Sequence, residues 1–305
     1  MDCCKCLREI RNGHTIQHGL HKACFTEWFS LSSGEDFSNV IVKNGTSKER
    51  KKAAEESARN SSFFHGKFKK YSATLAGHSY ILKVKDNDFP ELPATEYLCN
   101  QIAGYLGLNI ASYYFIRFEG KLETFVTKNF MRDLSQSDLV HLYHYLKKNQ
   151  DFSCESIMKV IADKTGRLAD IERFVELCLF DSLIGNNDRH GRNLALVQTK
   201  KGLFLSPFYD NPSYLGIEED ALLEAQIEPA GSIITSETKE PLMVHYVREF
   251  TKLGYGHLVA KFHAKVKLSE IFSLVDKAFL SGKRKKAIKA LIERRQRGLT
   301  HGAAA

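Results

Sequence analysis

Asp188 and Asn193 stand five residues apart in the segment GNNDRHGRN, residues 185–193, which contains no large apolar side chain. Apolar runs flank this segment on both sides, so we expect a polar loop that is fixed between buried elements. A carboxylate in such a loop can orient a hydroxyl group and accept its proton. An amide oxygen five residues later can bind Mg²⁺, and this is the spacing of base and metal ligand in a phosphoryl-transfer loop.

A further carboxylate, Asp210, follows this loop after a predicted short hairpin. Mg²⁺ takes oxygen ligands and keeps much of its coordination sphere for phosphate and water, so one Asp and one Asn suffice as protein ligands. Asn193 and Asp210 are therefore the predicted magnesium ligands, and Asp188 is the predicted catalytic base.

The first half of the chain offers groups that could bind phosphate. Lys83 lies in the middle of the predicted strand YILKVK, where a buried lysine needs an anionic partner. Glu96 on the next predicted helix is that candidate partner, because such a pair positions nucleotide phosphates. Upstream, SSFFHGKFKKYS contains a single glycine, Gly66, so phosphate binding there would depend on backbone N–H groups and on the side chains Lys67, Lys69 and Lys70.

The elements that position these residues form a β-rich half followed by a helical half, which predicts an α+β fold. Hairpins are predicted to turn at Ala76-Gly77, Glu119-Gly120 and Lys201-Gly202. Helices are predicted over PATEYLCNQIAGYLGLN, over SQSDLVHLYHYLKKN with Ser135 or Ser137 as its cap, over DIERFVELCLFDSLIG, and three or four times within 218–297.

The predicted fold is thus a two-lobed, protein-kinase-like fold with a β-rich N-lobe, an all-helical C-lobe and a crevice between them. We divide the chain into four regions. They are a Cys/His-rich segment over 1–30, a charged linker or exposed helix over 31–60, the N-lobe over 61–130, and the C-lobe with its catalytic loop over 131–305.

Composition narrows the class of protein. The 305 residues are 43% hydrophobic, enough for a sizeable core, yet no run of 18 apolar residues predicts a transmembrane segment. The N-terminus has no apolar signal region, so a cytoplasmic protein is expected. The net charge of +8 favours polyanionic partners, although basic runs are also typical of solvated helix faces.

The seven cysteines do not form a disulfide framework, but four of them lie within the first 24 residues. Cys3 and Cys6 form C-x₂-C, and His21 and Cys24 form H-x₂-C after a 14-residue gap. This spacing predicts a tetrahedral zinc site, structural because the protein fills all four positions. Cys4 and His18 are substitute ligands, and the alternative is a set of reduced cysteines without metal.

In the order and the residue patterns of these segments, the chain resembles the HipA-like serine/threonine kinases, the toxin kinases of bacterial toxin–antitoxin systems. The resemblance covers roughly residues 60–300. It rests on four segments: GNNDRHGRNLALV for the catalytic loop, LSPFYDNPS for the metal segment, ATEYLCNQIAGYLGLNIA for the N-lobe helix and HSYILKV for the strand with the nucleotide lysine.

The resemblance implies residue roles. Asp188 would be the base, with His190 behind it, supporting the loop or touching phosphate, and Asn193 and Asp210 would bind Mg²⁺. Lys83 would bind the α- and β-phosphates of ATP. The remaining nucleotide-binding candidates are Glu96, Gly66, Lys70, Tyr209 and, at the adenine hinge, the backbone of Thr127, Lys128 and Asn129. The family phosphorylates a serine of its own phosphate loop, for which the candidates are Ser61, Ser62 and Ser72.

The resemblance also implies partners. Only some sixty residues precede the phosphate loop, which favours the shortened HipT-type branch, in which an N-terminal subdomain is a separate protein. Separately encoded antitoxin proteins, one of them DNA-binding, would then be its partners, and the resemblance implies a bacterial cytoplasm. Its protein substrate would be of the kind the family phosphorylates, such as an aminoacyl-tRNA synthetase, and a host-cell target after delivery stays open.

Two other functions fit part of the pattern. The motif DRHxxN also occurs in phosphatidylinositol kinases, and the basic tail over 282–298 could face a membrane, so a lipid kinase is one alternative. Alternatively, the chain is a catalytically inactive module whose basic tail binds nucleic acid, with an affinity that falls steeply with salt.

Overall fold

The computed structural model describes residues 2–11, 15–32, 34–42, 70–133, 137–146, 151–220, 222–225 and 228–301. The chain divides into two compact units, residues 1–97 with 111–135 and residues 98–110 with 136–305. The predicted α+β class is confirmed: the first unit is built on a sheet, and the second is mainly helical. The second unit also carries a three-stranded sheet, so it is not the all-helical lobe that the sequence predicted.

The first unit contains a five-stranded antiparallel sheet in the order β3-β4-β5-β7-β6. Its strands are β3 (Ser38–Val42), β4 (Lys70–Leu75), β5 (His78–Val84), β6 (Tyr113–Phe118) and β7 (Leu122–Lys128). The predicted hairpin turns are confirmed at Ala76-Gly77 and Glu119-Gly120, where both central residues have positive φ. Such turns match the right-handed twist of the strands and fix the register on each side.

The segment before this sheet forms a small ordered structure. A two-stranded hairpin, β1 (Ile16–Gln17) and β2 (Leu20–His21), leads directly into helix α1 (Lys22–Phe29). The sequence predicted a linker or exposed helix over 31–60. Within that range residues 38–42 instead form β3, because Val40, Ile41 and Val42 are β-branched and the strand pairs with β4. Residues 43–60 lie outside the described residues.

Helix α2 (Leu92–Tyr105) follows β5, as predicted, and runs from the first unit into the second. It ends before Gly107, whose φ of 73° allows the left-handed turn that closes a helix. A short helix, α3 (Phe130–Asp133), follows β7.

The second unit corrects the helix predicted over SQSDLVHLYHYLKKN. Its described part is strand β8 (Asp138–His141) followed by a 3₁₀ turn (Leu142–His144). Strand β8 pairs with β9 (Ala195–Thr199), which pairs with β10 (Gly202–Leu205). The gain from this long-range pairing outweighs the helical spacing. Of the two predicted caps, Ser137 directly precedes the strand and Ser135 lies outside the described residues. The β9–β10 turn is at Lys200-Lys201, one residue earlier than predicted.

Helices supply the core of the second unit. Helix α5 (Leu168–Ile184) is the predicted central helix, and it contacts four others. Those four are α4 (Cys154–Thr165), α6 (Met243–Lys252), α7 (Gly256–Lys265) and α9 (Gly282–His301). With α8 (Leu268–Lys277), the described residues of the C-terminal region form four α-helices, where three or four were predicted. Within the described ranges, none of the helices has the length and apolar character to span a bilayer.

Candidate active site

The loop that carries Asp188 begins where α5 ends, at Gly185 with a φ of 70°. A Cβ atom on Gly185 would lie 2.7 Å from Leu291 Cδ2. Both the positive φ and this close contact therefore exclude larger residues. Gly191 has ordinary backbone angles, but a Cβ there would lie 2.8 Å from the Cβ of Tyr143. The start of the loop thus requires Gly185 for its backbone conformation. The later position of Gly191 requires glycine because of close packing.

Hydrogen bonds close the loop on itself. Asn186 Oδ1 accepts from the Asp188 N–H at 3.0 Å, and the Asn193 side-chain nitrogen donates to the Asp188 carbonyl at 2.9 Å. The Asp188 carboxylate points outward, with 60% of its side chain exposed, and lies 3.7 Å from His190 Nε2. A carboxylate on a fixed backbone with an accessible side chain is what a base for an incoming hydroxyl requires.

Arg189 is the centre of the loop, a residue to which the sequence assigned no role. Only 1% of it is exposed, and its guanidinium pairs with Asp181 of α5 through two bonds of 2.7 and 2.9 Å. It also donates to the carbonyl oxygens of Asn193 and Tyr209 at 3.0 and 2.7 Å, and to Asn211 Oδ1 at 2.6 Å. One side chain therefore joins the loop that carries Asp188, the central helix and the segment that contains Asp210.

The Arg189 guanidinium keeps its positive charge although it is buried. Burial alone would lower the pKa of the Arg189 guanidinium, but the adjacent Asp181 carboxylate reverses that effect and raises the pKa above its usual value. A sequence signal for this pair exists, because Asp181 is a carboxylate within the mostly apolar stretch 177–184 at the end of α5, and a buried charge requires a partner.

Asp210 has a φ of 50°, in the left-handed region that Asp and Asn tolerate better than most residues. Its neighbours are fixed: the Tyr209 hydroxyl donates to the Arg192 carbonyl at 3.1 Å, and Asn211 donates to Asn100 Oδ1 at 3.1 Å. Burial raises the pKa of the Tyr209 hydroxyl, and the nearby Asp210 carboxylate adds to that shift. Backbone strain held by such surroundings is typical of functional positions.

The donor set of this region suits a hard divalent cation. Asp188, Asn193 and Asp210 offer carboxylate and amide oxygens, the ligands that Mg²⁺ prefers. The Asn193 nitrogen already donates within the loop, so a cation would be held through the other end of this amide, its Oδ1. Hydrogen bonds thus join the two segments that carry the three predicted residues within the second unit.

In the first unit the predicted pair of Lys83 and Glu96 is present. Lys83 Nζ donates to both carboxylate oxygens of Glu96, at 2.6 and 2.7 Å. Their side chains are 8% and 2% exposed, so this is a buried ion pair. Lys70, the first residue of β4, stands directly across from Lys83 in the β4–β5 register and is 2% exposed. Glu96 balances the charge of Lys83, and Lys70 places a second buried lysine beside this ion pair.

Other predicted residues of the nucleotide site are placed less simply. Gly66, Ser61 and Ser62 lie outside the described residues, and so do Lys67 and Lys69. Ser72 lies within β4, paired to Ile81 on one side and Ile41 on the other. At the predicted hinge, the N–H groups of Lys128 and Asn129 donate to the carbonyls of Ser112 and Ser79. A purine here would therefore need other backbone groups, such as carbonyl oxygens.

The predicted zinc ligands Cys3, Cys6, His21 and Cys24 come together in the first unit. Their ligand atoms all lie within 4.8 Å of one another. His21 Nδ1 is 3.5 Å from Cys6 Sγ and 3.8 Å from Cys24 Sγ. Cys3 and Cys24 are buried, and Cys6 and His21 are half-buried. The sequence prediction of this cluster matches the geometry residue for residue.

Comparison with known proteins agrees with this architecture. The chain is similar to the Helicobacter pylori proinflammatory kinase CtkA, with a TM-score of 0.65 and 17% identity over 77% of this chain and 92% of CtkA. It is also similar to HipA of Shewanella oneidensis MR-1, whose structure is a complex with HipB and operator DNA. That TM-score is 0.52, with 14% identity over 90% of this chain and 74% of HipA. A search among curated proteins finds no match.

At these identities the two structures establish the fold, which is kinase-like. The family model described as the HipA-like C-terminal domain matches residues 32–291, most of the chain. This chain therefore belongs to the family of proteins with a HipA-like C-terminal domain, as its motifs predicted.

Proposed function

We propose that this chain is an ATP-dependent kinase that transfers the γ-phosphoryl group to a serine or threonine of a protein. The observation that carries the proposal is the Arg189 network. It fixes the loop with Asp188 and Asn193 and the segment with Asp210 to one guanidinium. Phosphoryl transfer depends mainly on positioning and electrostatic stabilisation, and a rigid framework for a base and two metal ligands provides for both.

Each group has a role in this proposal. Asp188 orients the hydroxyl of the protein substrate and accepts its proton. Asn193 and Asp210 would hold Mg²⁺, which when bound neutralises charge on the phosphate oxygens. His190, exposed beside Asp188, is in a position to support the loop or to contact phosphate. Lys83, oriented by Glu96, binds nucleotide phosphates.

The remaining nucleotide contacts are part of the same proposal. Adenine would bind near the end of β7, at Thr127 to Asn129, and Lys70 would add positive charge for the phosphates. The contacts of Tyr209 with the catalytic loop support a positioning role for this residue beside the nucleotide role that the sequence predicted.

The biological setting follows from family membership. We infer a HipA-like toxin that inhibits growth by phosphorylating a protein of the translation apparatus, such as an aminoacyl-tRNA synthetase. Separately encoded antitoxin proteins, one of them DNA-binding, would be its partners, since the HipA structure it resembles contains HipB and operator DNA. A serine of its own phosphate loop would be autophosphorylated, with Ser61, Ser62 and Ser72 as candidates; Ser72, held between two strands, would need local opening of the sheet.

One experiment separates this function from its rivals. The purified chain is incubated with γ-labelled ATP and Mg²⁺ in three arms. The first contains a bacterial lysate, the second contains phosphoinositide vesicles, and the third contains RNA or DNA. We expect label on protein, with phosphoserine or phosphothreonine after hydrolysis. Label on lipid without label on protein would make the chain a lipid kinase. No transfer in any arm, with salt-sensitive nucleic-acid binding, would make it an inactive binding module.

Replacing Lys83 by Met is expected to weaken ATP binding by roughly 10- to 100-fold, the value of one charge-assisted contact to phosphate. It also removes Lys83 from its ion pair with the buried Glu96, so calorimetry must measure the melting temperature as well as the ATP affinity. Lys85→Met is the matched control, because Lys85 follows the same strand and forms an exposed pair with Glu123 at 3.3 Å. Equal ATP affinity in the wild type and Lys83→Met would remove Lys83 from the site.

Replacing Asp210 by Asn is expected to raise the Mg²⁺ concentration for half-maximal activity at least roughly tenfold, because a charged ligand becomes neutral. The fold should persist, since Asn accepts the left-handed backbone that this position requires. The measurement is a Mg²⁺ titration of initial rates at saturating ATP. An unchanged Mg²⁺ dependence would show that Asp210 is not a metal ligand.

A further inference from the structure

We propose that Cys3, Cys6, His21 and Cys24 bind one Zn²⁺ ion, and that this ion fastens helix α1 to the sheet of the first unit. Zinc bonds of about 2.3 Å to sulfur and about 2.0–2.1 Å to nitrogen, in tetrahedral geometry, place neighbouring ligand atoms about 3.6–3.8 Å apart. The distances from His21 Nδ1 to the sulfurs of Cys6 and Cys24 are 3.5 and 3.8 Å. These two distances match a tetrahedral zinc site, and all four ligand atoms lie within 4.8 Å of one another.

The backbone presents these ligands in two pairs. Cys3 and Cys6 lie on a tight turn in which the Leu7 N–H donates to the Cys3 carbonyl at 2.9 Å. His21 is the last residue of β2, and Cys24 lies in the first turn of α1. A metal bound to both pairs would link the turn of Cys3 and Cys6 to the first turn of α1 and make a closed loop of the chain between them. Structural zinc sites contribute to folding in this way, because the ion binds the folded ligand set far better than the unfolded chain.

The structure also decides between the alternative ligands. Cys4 is 1% exposed and lies outside the cluster, with its N–H donating to the Gly19 carbonyl at 3.2 Å. His18 lies 2.6 Å from Asp36 through Nε2 and stacks on Phe118 with a ring separation of 5.5 Å. Both residues belong to the packing of the segment, so neither is a ligand in this proposal.

Helix α1 carries the aromatic side chains that pack on the sheet. The Phe29 ring stacks on Tyr114 of β6 at 4.2 Å and meets Tyr80 of β5 edge-on at 5.7 Å. Trp28 meets Tyr97 of α2 edge-on at 6.4 Å. An eight-residue helix is too short to be stable alone, so a fixed point at its first turn is a direct source of stability for these contacts.

A second set of contacts joins the zinc segment to β6 through Arg117. The Arg117 N–H donates to the His18 carbonyl at 2.8 Å, and its guanidinium donates to the Asp2 carbonyl at 2.9 Å. A Cβ atom on Gly19 would lie 2.8 Å from the Arg117 Cβ, so the β1–β2 turn sits directly against this residue. The proposed zinc site therefore stabilises the sheet that carries Lys83, independently of whether the chain transfers phosphate.

The first test is the metal content of the wild-type protein, purified without an oligohistidine tag and without chelators. We expect about one equivalent of zinc per chain by mass spectrometry, released when a mercurial reagent modifies the thiols and detected with a chromogenic chelator. Well under one equivalent, or iron or copper at stoichiometric level in its place, would overturn the proposal. Because this test uses the native chain, it is decisive even if the variants fold poorly.

Variants test the ligand set. Cys6→Ser and His21→Ala should lose most of the zinc, whereas Cys4→Ala, the adjacent cysteine outside the cluster, should keep it. We expect the two ligand variants to melt roughly 5 °C or more below the wild type, and amide exchange over 113–118 and 78–84 to accelerate. Full zinc occupancy in His21→Ala would refute this ligand set. Zinc loss without faster exchange in these strands would refute the fastening role.

Discussion

Asp188→Asn should reduce the rate of phosphoryl transfer by roughly 10²- to 10⁴-fold, the usual contribution of a positioned general base. The substitution keeps the shape of the side chain and removes its ability to accept a proton. Because 60% of the Asp188 side chain is exposed, the amide is well solvated and the folded state should be unaffected. Initial rates with γ-labelled ATP and a melting curve of the same preparation measure the two effects.

The matched control for this variant is Asp163→Asn, the same chemical change at an exposed position of α4. Its rate and melting temperature should equal those of the wild type. The affinity of Asp188→Asn for Mg²⁺-ATP should also stay close to the wild-type value, because the base acts on the hydroxyl substrate. If Asp188→Asn labels protein at the wild-type rate, the assignment of the base is wrong, whatever its stability.

The parts of the fold that could be predicted from the sequence are those with local causes. The hairpin turns at Ala76-Gly77 and Glu119-Gly120 follow from residues that favour or tolerate positive φ beside alternating strands. The spacing of Asp188 and Asn193 indicated a loop with a shared chemical purpose, and a lysine on a buried strand indicated an acidic partner. Lys83 and Glu96 confirm that second inference at 2.6 Å.

What could not be predicted depends on partners far away along the chain. Strand β8 has a helical apolar spacing, and only its pairing with β9, more than fifty residues later, makes it a strand. Likewise, β3 is a strand because β4 is beside it. Arg189 was assigned no role because two of its partners, Tyr209 and Asn211, lie on a separate segment later in the chain. Asp181, in the buried end of α5, was a usable signal for a third partner.

The second prediction with a large expected effect concerns the buried ion pair of Asp181 and Arg189. Asp181→Asn should lower the free energy of unfolding by about 3–5 kcal/mol, because it leaves a buried guanidinium without its counter-charge. Arg189 is 1% exposed and cannot turn to water without breaking its other contacts. For a domain whose total stability is about 5–15 kcal/mol, this loss is a large share. Urea unfolding of wild type and variant measures it.

A matched control is Arg192→Ala, the other arginine of the same loop. The Arg192 side chain is exposed, and the hydrogen bonds of this residue to Tyr209 and His190 use backbone atoms that alanine keeps. Its stability should stay within about 0.5 kcal/mol of the wild type. Equal losses in Asp181→Asn and Arg192→Ala would show that burial of the ion pair does not matter.

A double variant, Asp181→Leu with Arg189→Met, separates stability from positioning. Replacing both members of a buried ion pair by apolar residues is often close to neutral, so part of the stability should return. The carbonyls of Asn193 and Tyr209 still lose their shared donor, so the catalytic loop and the Asp210 segment are no longer held together. We therefore expect kcat to stay at least roughly tenfold below the wild type at temperatures where the double variant is fully folded. Recovery of kcat together with stability would show that Arg189 serves the fold alone, and not the geometry of the proposed active site.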